Sequence, residues 1–255
     1  TVLHILACGK SGGIETLVSE YARESSHDNH FVFVWEDGYY EKKIREGGCS
    51  TYFLDAGKTG SFNATQELIK IVTNVKPDVI ITHHGSPMIR VYVTLLSLLF
   101  HDIPVLMYVH CDAKDELNGN NRVARKVINF AAAKSSRKII AISDYVKRSV
   151  VTNFKAKPEK IEVVYNGIDI SRFSEKNSSA HNPVRLVFVG RLVKVKGVQI
   201  ALEALKICID KGYNLSFTIV GDGDYRAQLE SDAENLRIEK YCKFAGIRED
   251  VPQIL

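Results

Sequence analysis

The sequence has few of the features that mark secreted, membrane-spanning or metal-binding chains. Its 255 residues include five cysteines, which are scattered, odd in number and never spaced as C-x-x-C. This pattern argues against a disulfide framework or a thiolate metal site and favours a reducing compartment. The longest apolar run, Val91 to Phe100, is far shorter than the roughly 20 residues that cross a bilayer. The N-terminus has the pattern of a core strand, so we expect no signal peptide and a cytoplasmic protein.

Composition and charge limit the class of protein further. Hydrophobic residues make up 45% of the chain and charged residues 25%, which predicts a packed globular core and excludes bulk disorder. The net charge of +4 is unevenly placed, because Lys114 to Lys160 holds 12 Lys and Arg against 4 Asp and Glu. Such a segment suggests an anionic surface or partner, and a well-solvated face is the alternative. We expect no nucleic-acid partner.

Strand-like and helix-like segments alternate along the chain, which predicts an α/β fold with parallel sheets. Residues Val79 to Thr82 are apolar throughout, as in a parallel strand covered on both faces. We place an N-terminal Rossmann-like domain at 1–170, a polar linker at 171–183 and a second Rossmann-like domain at 184–255. The second half shows only three strand patterns, so that domain looks truncated.

A glycine-containing loop follows the first predicted strand, in the segment Cys8-Gly9-Lys10-Ser11-Gly12-Gly13. The P-loop pattern G-x-x-x-x-G-K-S fails because its first glycine would be His4, and G-x-G-x-x-G fails on spacing. The second failure disfavours a nicotinamide-dependent oxidoreductase. What remains is a glycine pair at a helix N-terminus, where a phosphate can approach the backbone closely, or else a plain tight turn.

Histidines follow two of the predicted strands at the edge where open α/β sheets bind ligands. His83-His84 comes after Val79–Thr82, and His110 comes after the strand at 104–109. Neighbouring histidines point in different directions, so we expect one structural histidine and one in a cleft rather than a chelating pair. His110 is either a core histidine satisfied by one hydrogen bond or a group aimed at a sugar hydroxyl.

The second half begins with an apolar strand ending at Gly190, followed by Arg191, Lys196 and Gly197, which opens a helix. A strand that ends at a glycine and a helix N-terminus forms an anion site. Two fixed cations there suit a diphosphate better than a lone carboxylate. The alternative is a pair of ordinary solvated loop charges.

A basic amphipathic helix is predicted from Asn121 to Ala133. Its apolar side comprises Val123, Val127, Phe130 and Ala131, and its polar side comprises Arg122, Arg125, Lys126 and Asn129. The pattern fits a membrane-surface helix and equally a surface helix of the domain. Because the apolar side is built largely of alanine and valine, we expect it to pack on the core.

Four motifs in register carry a family resemblance. They are Gly12-Gly13-Ile14-Glu15, Asn166-Gly167-Ile168-Asp169, Gly190-Arg191 with Lys196-Gly197, and Val220-Gly221-Asp222-Gly223. In this order and spacing they resemble the retaining sugar-nucleotide glycosyltransferases of family 4, over essentially the whole chain. The resemblance implies the GT-B fold, in which two Rossmann-like domains face each other across a cleft. The first would bind the acceptor and the second the nucleotide sugar.

The resemblance also implies roles for individual residues. It implies catalytic roles for three residues: His110 would contact the donor sugar, and Arg191 and Lys196 would hold the donor diphosphate. Nucleotide-sugar binding falls to Gly12, Gly13, Gly190, Arg191, Lys196, Gly221, Gly246 and Ile247. Fixed cations stabilise the charge that develops on a leaving diphosphate, so no metal or other cofactor is expected beside a UDP-sugar or GDP-sugar donor. Asp222-Gly223-Asp224 looks like a D-x-D metal motif, but no further ligands accompany it and it lies in the family's base-side turn.

The expected function is transfer of a hexose with retention to a sugar or lipid-linked acceptor, in polysaccharide or glycolipid biosynthesis. The basic segment suggests peripheral contact with the inner face of a membrane. The family's downstream segment, whose two glutamates hold the donor, is absent before the chain stops at Leu255. Two alternatives therefore stay open: a nucleotide-binding fragment without turnover, and a GT-B nucleotide-sugar epimerase.

Overall fold

The computed structural model describes residues 1–10, 12–83, 85–173, 183–248 and 250–255. It divides into two compact units, Thr1–Ile168 and Asp169–Leu255. Most of the linker predicted at 171–183 lies outside the described residues, and the predicted domain boundaries stay a prediction. Within the described ranges, no helix combines the length and the apolar character needed to span a bilayer.

The first unit is a parallel sheet covered by helices. Its strands are β1 Val2–Cys8, β2 Asn29–Glu36, β3 Ser50–Phe53, β4 Val79–Thr82, β5 Val105–Val109, β6 Lys138–Ala141 and β7 Ile161–Val163. Its helices are α1 Gly13–Glu24, α2 Tyr39–Glu46, α3 Ala56–Thr59, α4 Ser61–Val75, α5 Pro87–Leu99, α6 Arg122–Ser135 and α7 Asp144–Phe154. The strand order is β3-β2-β1-β4-β5-β6-β7.

This strand order has its switch point between β1 and β4. The chain winds outward from β1 to β3 and then returns to lay β4 against the other side of β1. The loops after β1 and β4 therefore diverge at the carboxyl edge of the sheet, which is where open α/β sheets bind ligands. His83 directly follows β4, and His110 directly follows β5.

The inner strands of this sheet are buried on both faces, as expected where helices cover both sides. Leu3, Ile5 and Leu6 of β1 are all fully buried although neighbouring residues point to opposite faces. Ser143 caps α7, since its Oγ accepts a hydrogen bond from the Val146 N–H. The strand pattern in the sequence therefore predicted a doubly covered parallel sheet correctly.

The second unit repeats the pattern on a smaller scale. Its elements are β8 Val184–Val189, α8 Val198–Asp210, β9 Leu215–Val220, α9 Arg226–Asn235, β10 Cys242–Gly246 and α10 Val251–Ile254. The three strands pair in parallel in the order β10-β9-β8. Helix α8 begins directly after Gly197, as predicted, and buries Val198, Leu202 and Leu205 at helical spacing on one face. The predicted α/β class, with a Rossmann-like pattern in each unit, is confirmed.

The predicted orientation of α6 is wrong. The face that packs inward is made of Asn129, Ala132 and Ala133. The apolar stripe is exposed, with Val123 at 76%, Val127 at 61% and Phe130 at 46% of full accessibility. Small residues let α6 approach its neighbour α5 closely, and this packing places the bulkier stripe in solvent.

Candidate functional site

In the second unit, the predicted cations lie on the loop between β8 and α8. The Gly190 N–H donates to the Val220 carbonyl at 3.0 Å, and the Leu192 N–H donates to the Asp222 carbonyl at 2.9 Å. Leu192 is fully buried, so the backbone on both sides of Arg191 is fixed. The exposed Arg191 side chain therefore projects from a rigid part of the loop.

Lys196 ends a single 3-10 turn, Lys194–Lys196, directly before α8. Gly197 follows with φ of 75°, a left-handed conformation that glycine adopts without strain. Within the described residues, neither Arg191 nor Lys196 takes part in an ion pair. Two exposed cations beside the N-terminus of a 13-residue helix can bind an anion such as a phosphate group.

The glycines of the next loop are needed for contact between the loops themselves. Gly221 has φ of 130°, and a Cβ there would lie 1.9 Å from the Gly190 carbonyl oxygen. A Cβ on Gly223 would lie 2.3 Å from the Leu192 carbonyl oxygen. The loops after β8 and β9 thus touch backbone to backbone. This contact between loops explains why glycine is needed at Gly221. The roles of Gly190 and Gly221 in binding a ligand stay predictions.

Asp222, the first carboxylate of the D-x-D sequence, is held within the protein. Its Oδ1 accepts from the Gly223 N–H at 2.8 Å, and its Oδ2 accepts from Arg226 Nη1 at 3.4 Å. Arg226 also donates to Glu230 at 2.8 Å. In the part of the chain that the structure describes, no group of three His, Cys, Asp or Glu residues is arranged to hold a metal ion.

Arg226 also approaches the end of β10. A Cβ on Gly246 would lie 3.6 Å from its Nη1. The neighbouring Ile247 is exposed. The carboxyl ends of β8, β9 and β10 therefore bring together the sequence-predicted residues of this unit and one cation, Arg226, that was not predicted.

In the first unit, the two glycines after β1 differ in their surroundings. A Cβ on Gly12 would lie 2.2 Å from a carboxylate oxygen of Glu15, which is buried in the first turn of α1. A Cβ on Gly13 would meet no atom within 4 Å. A side chain at Gly12 would therefore displace the Glu15 carboxylate, whereas the backbone at Gly13 is open to a ligand. Their roles in binding stay predictions.

Histidines and a tyrosine form a ring cluster at the ends of β4 and β5. The His83 and His110 ring centroids are 5.7 Å apart, and the Tyr108 and His110 centroids are 4.2 Å apart. His4 of the adjacent strand β1 also belongs to the cluster, because its Nδ1 lies 3.0 Å from His83 Nε2. His110 is thus packed among aromatic rings, and its role toward a sugar stays a prediction. His84 lies outside the described residues.

The hydrogen bonds of this cluster set its tautomers. Asn29 Nδ2 donates to the His27 carbonyl at 2.8 Å, which turns Asn29 Oδ1 toward His4 Nε2 at 3.3 Å. Burial lowers the pKa of His4 to about 4, so His4 is neutral at pH 7 and carries its proton on Nε2. His4 Nδ1 is then an acceptor, and His83 Nε2 must donate to it.

The loop after β5 is anchored by two carboxylates. Asp112 accepts from the Tyr145 hydroxyl at 2.7 Å, from the Lys114 N–H at 2.9 Å and from the Ser149 hydroxyl. The hydrogen bond from Ser149 is the main cause that lowers the pKa of Asp112. Glu116 forms a two-point ion pair with Arg90. These contacts fix the backbone directly after His110.

Cys111, which directly follows His110, is not suited to act as a nucleophile. Cys111 is exposed, but desolvation of its thiol, with a further contribution from Glu116, raises its pKa to about 11. The thiol therefore stays protonated at neutral pH and is a poor nucleophile. The cysteines Cys8, Cys49, Cys111, Cys208 and Cys242 are all free, as the sequence predicted.

Sequence reasoning missed three features of these sites. Arg90 is a lone charge on the apolar face of α5, a signal that a buried partner was needed. Arg226 stands four residues before Glu230 on α9, a spacing that predicts an ion pair on a helix, and four residues after Asp222 in the preceding loop. His4 gave no signal, because its strand reads as an apolar run.

Comparisons with known proteins cover the whole chain. The profile described as Glycosyltransferase Family 4 matches residues 11–172, and the profile described as Glycosyl transferases group 1 matches residues 169–255. The Staphylococcus aureus capsular polysaccharide biosynthesis glycosyltransferase CapH is 23% identical over 257 residues, which is 96% of this chain and 69% of CapH.

Two further relatives are also glycosyltransferases by their names. The Erwinia amylovora amylovoran biosynthesis glycosyltransferase AmsK is 36% identical over 91 residues, 35% of this chain and 22% of AmsK. The Escherichia coli UDP-Gal:alpha-D-GlcNAc-diphosphoundecaprenol alpha-1,3-galactosyltransferase is 24% identical over 85% of this chain and 59% of its own length. The chain thus spans between 22% and 69% of these three relatives.

Solved structures share the fold. Anabaena HepE in complex with UDP-glucose has a TM-score of 0.83 at 21% identity, covering 99% of this chain and 71% of HepE. The lipopolysaccharide glycosyltransferase WaaG has a TM-score of 0.70 at 15% identity, covering 100% of this chain and 72% of WaaG. The predicted GT-B fold class is confirmed.

Proposed function

The chain belongs to Glycosyltransferase Family 4, and from that membership we propose that it transfers a hexose from a UDP-sugar to a sugar or lipid-linked acceptor with retention of the anomeric configuration. The names of CapH and AmsK support a place in polysaccharide or glycolipid biosynthesis. UDP is the proposed nucleotide because HepE was solved with UDP and UDP-glucose and the Escherichia coli relative is named for UDP-Gal.

The observation that carries the proposal is the pair of exposed cations on the β8–α8 loop. Arg191 stands on a backbone fixed by Leu192, and Lys196 stands at the N-terminus of α8. Both side chains bind the diphosphate of the donor. When the bond between the sugar and the diphosphate breaks, negative charge grows on the leaving group, and these cations stabilise it most in the transition state.

Three further residues act on the donor in this proposal. His110 hydrogen-bonds a hydroxyl of the sugar, the open backbone at Gly13 approaches the donor phosphate and sugar, and Ile247 lies against the base. No metal ion is needed, since the two cations supply the charge. In support, Asp222 of the D-x-D sequence is already engaged by Arg226 and the Gly223 N–H.

The test replaces Arg191 and Lys196 by alanine in the full-length protein and measures UDP release from UDP-glucose and UDP-galactose. Loss of one such contact costs on the order of 3 kcal/mol, so we expect a fall of about a hundredfold or more. The matched control is Lys211→Ala with Lys240→Ala, which removes the same charge from exposed positions before β9 and β10, at the opposite edge of the sheet.

The outcomes separate the proposal from its rivals. Wild-type rates in the Arg191→Ala, Lys196→Ala variant would sink the role of the two cations. UDP binding without release of sugar indicates a binding module, and conversion of UDP-glucose into another UDP-sugar indicates an epimerase. The anomeric configuration of the released sugar, read by NMR before mutarotation, decides between retention and inversion.

We also propose that the protein works at the inner face of a membrane and docks through α6. The exposed stripe of Val123, Val127 and Phe130 recurs at helical spacing and lies on one side of the helix. Arg122, Lys126 and Lys134 are exposed on the same helix. An apolar stripe with basic neighbours is complementary to an anionic leaflet, which accepts the side chains and attracts the charges.

Sedimentation with vesicles of phosphatidylglycerol and phosphatidylcholine tests this docking. Each Lys or Arg near an anionic surface contributes about 1 kcal/mol to membrane binding. Replacing Arg122, Lys126 and Lys134 by glutamine should therefore weaken vesicle binding roughly a hundredfold. Replacing Val123, Val127 and Phe130 by serine should also weaken it. The control is Ile200→Ser with Ile207→Ser, an exposed apolar pair on α8 that has the acidic Glu203 between its two members. Equal vesicle binding by the α6 and α8 variants would contradict the docking proposal.

A further inference from the structure

One buried ion pair holds the loop that follows His110. Arg90 Nη2 donates to Glu116 Oε1 at 2.7 Å, and Arg90 Nε donates to Oε2 at 3.0 Å. The Arg90 side chain is 0% exposed and the Glu116 side chain 4%. Two parallel charge-assisted hydrogen bonds fix both the distance and the orientation of the carboxylate.

Glu116 is enclosed by three elements of the first unit. A Cβ on Gly85 would lie 2.1 Å from Glu116 Cδ, so the loop after His83 rests directly on the carboxylate. Arg90 holds that carboxylate from α5. Arg125 of α6 donates to the Glu116 backbone carbonyl at 3.3 Å. The loops that follow β4 and β5 are therefore joined at Glu116.

Stability alone is a weak reason for such a pair. Removing two charges from water costs several kcal/mol each, and well-packed apolar replacements of similar volume are often neutral or stabilising. What an apolar pair would not supply is a fixed orientation of the two loops. Those loops begin with His83 and His110, whose rings lie 5.7 Å apart.

We propose that Arg90 and Glu116 are positioning residues that hold His110 at its place beside His83 and thereby set the geometry of sugar transfer. The inference rests on the proposed role of His110 toward the donor sugar. Arg90 and Glu116 act through that histidine and touch no substrate. A displacement of the loop by a fraction of an ångström moves the His110 ring relative to the donor, which is enough to reduce the rate.

The test compares two neutralised ion pairs in the full-length protein. Arg90→Gln with Glu116→Gln removes both charges and leaves two neutral side chains that can still form hydrogen bonds. Lys138→Gln with Glu162→Gln does the same to an exposed pair at 2.7 Å between β6 and β7. The readouts are thermal unfolding, the imidazole NMR signals of His83 and His110 without ligand, and kcat and KM for UDP-glucose cleavage.

We expect only the buried variant to shift both imidazole signals and to lower kcat, on the order of 10- to 100-fold with KM nearly unchanged. Wild-type imidazole signals in that variant would overturn the inference, and so would shifted signals with a wild-type kcat. If the wild-type protein does not cleave UDP-glucose, the proposed function is contradicted but the positioning role is not. The imidazole signals are measured without donor and therefore test the positioning role separately.

A second variant guards against loss of folding. Glu116→Asp keeps the charge and shortens the side chain by one methylene, so it pulls the loop toward Arg90 without leaving a buried cation alone. We expect a folded protein with shifted imidazole signals and an intermediate fall in kcat. Wild-type signals and kcat in Glu116→Asp would also overturn the positioning role.

Discussion

Replacing His4 by glutamine should remove a specific part of the acid sensitivity of the first unit. His4 is 1% exposed, and burial lowers its pKa from 6.5 to about 4. In the unfolded chain the ring takes up a proton near pH 6.5, whereas in the folded chain it stays neutral down to about pH 4. The unfolded state therefore binds more protons in this window, and the free energy of unfolding falls as the pH drops through it.

The size of the effect follows from the shift. One pKa unit corresponds to about 1.4 kcal/mol, so the His4 contribution is on the order of 3 kcal/mol between pH 6.5 and pH 4. Glutamine keeps a donor toward Asn29 Oδ1 but has no proton to gain. Carboxylates with lowered pKa values, such as Asp112, titrate in both proteins and cancel in the difference.

Urea unfolding at a series of pH values measures this difference. Above pH 6.5 the free energies of unfolding of the two proteins should differ by a constant amount. Toward pH 4 the wild type should lose more stability than His4→Gln, with an excess slope of at most about 1.4 kcal/mol per pH unit. Parallel curves across the whole range would refute the reasoning, because they would mean that His4 is protonated equally easily in both states.

Three further predictions concern backbone contacts and a thiol. Gly13→Ala should not lower the unfolding temperature but should weaken UDP-glucose binding by calorimetry. Gly12→Ala should lower the unfolding temperature, because its Cβ would lie 2.2 Å from the Glu15 carboxylate and that buried side chain would have to move. Gly223→Ala should destabilise the second unit by more than about 1 kcal/mol in chemical unfolding, since its Cβ would lie 2.3 Å from a carbonyl oxygen of the neighbouring loop. Cys111, whose pKa is raised to about 11, should react with iodoacetamide more slowly in the folded protein than in urea.

Local sequence patterns predicted most of the fold because they are set by neighbouring residues. The apolar runs of β1 and β4 and the helical spacing of α8 each depend on residues within a few positions of one another. The glycine and cation of the β8–α8 loop were predicted in the same way, since a strand, a glycine and a helix start follow directly in the chain. Arg191 and Lys196 are exposed on that loop, and their role as an anion site stays a prediction.

Contacts between distant residues could not be predicted. The His4–His83 hydrogen bond joins residues 79 positions apart, and the Arg90–Glu116 pair joins residues 26 apart. The α6 prediction failed for a related reason. The periodicity of a sequence divides a helix into two faces but does not say which face a neighbouring element covers. In α6 the covered face is the one that carries the small residues Ala132 and Ala133.

The most direct test of the account is calorimetric titration of UDP into the full-length protein and into its Arg191→Ala, Lys196→Ala variant. A hydrogen bond to a charged group contributes about 1.5 to 3 kcal/mol, so loss of both cations should weaken UDP binding at least about a hundredfold. The Lys211→Ala, Lys240→Ala control should bind UDP like the wild type. Equal UDP affinity in all three proteins would contradict the claim that Arg191 and Lys196 bind the donor diphosphate.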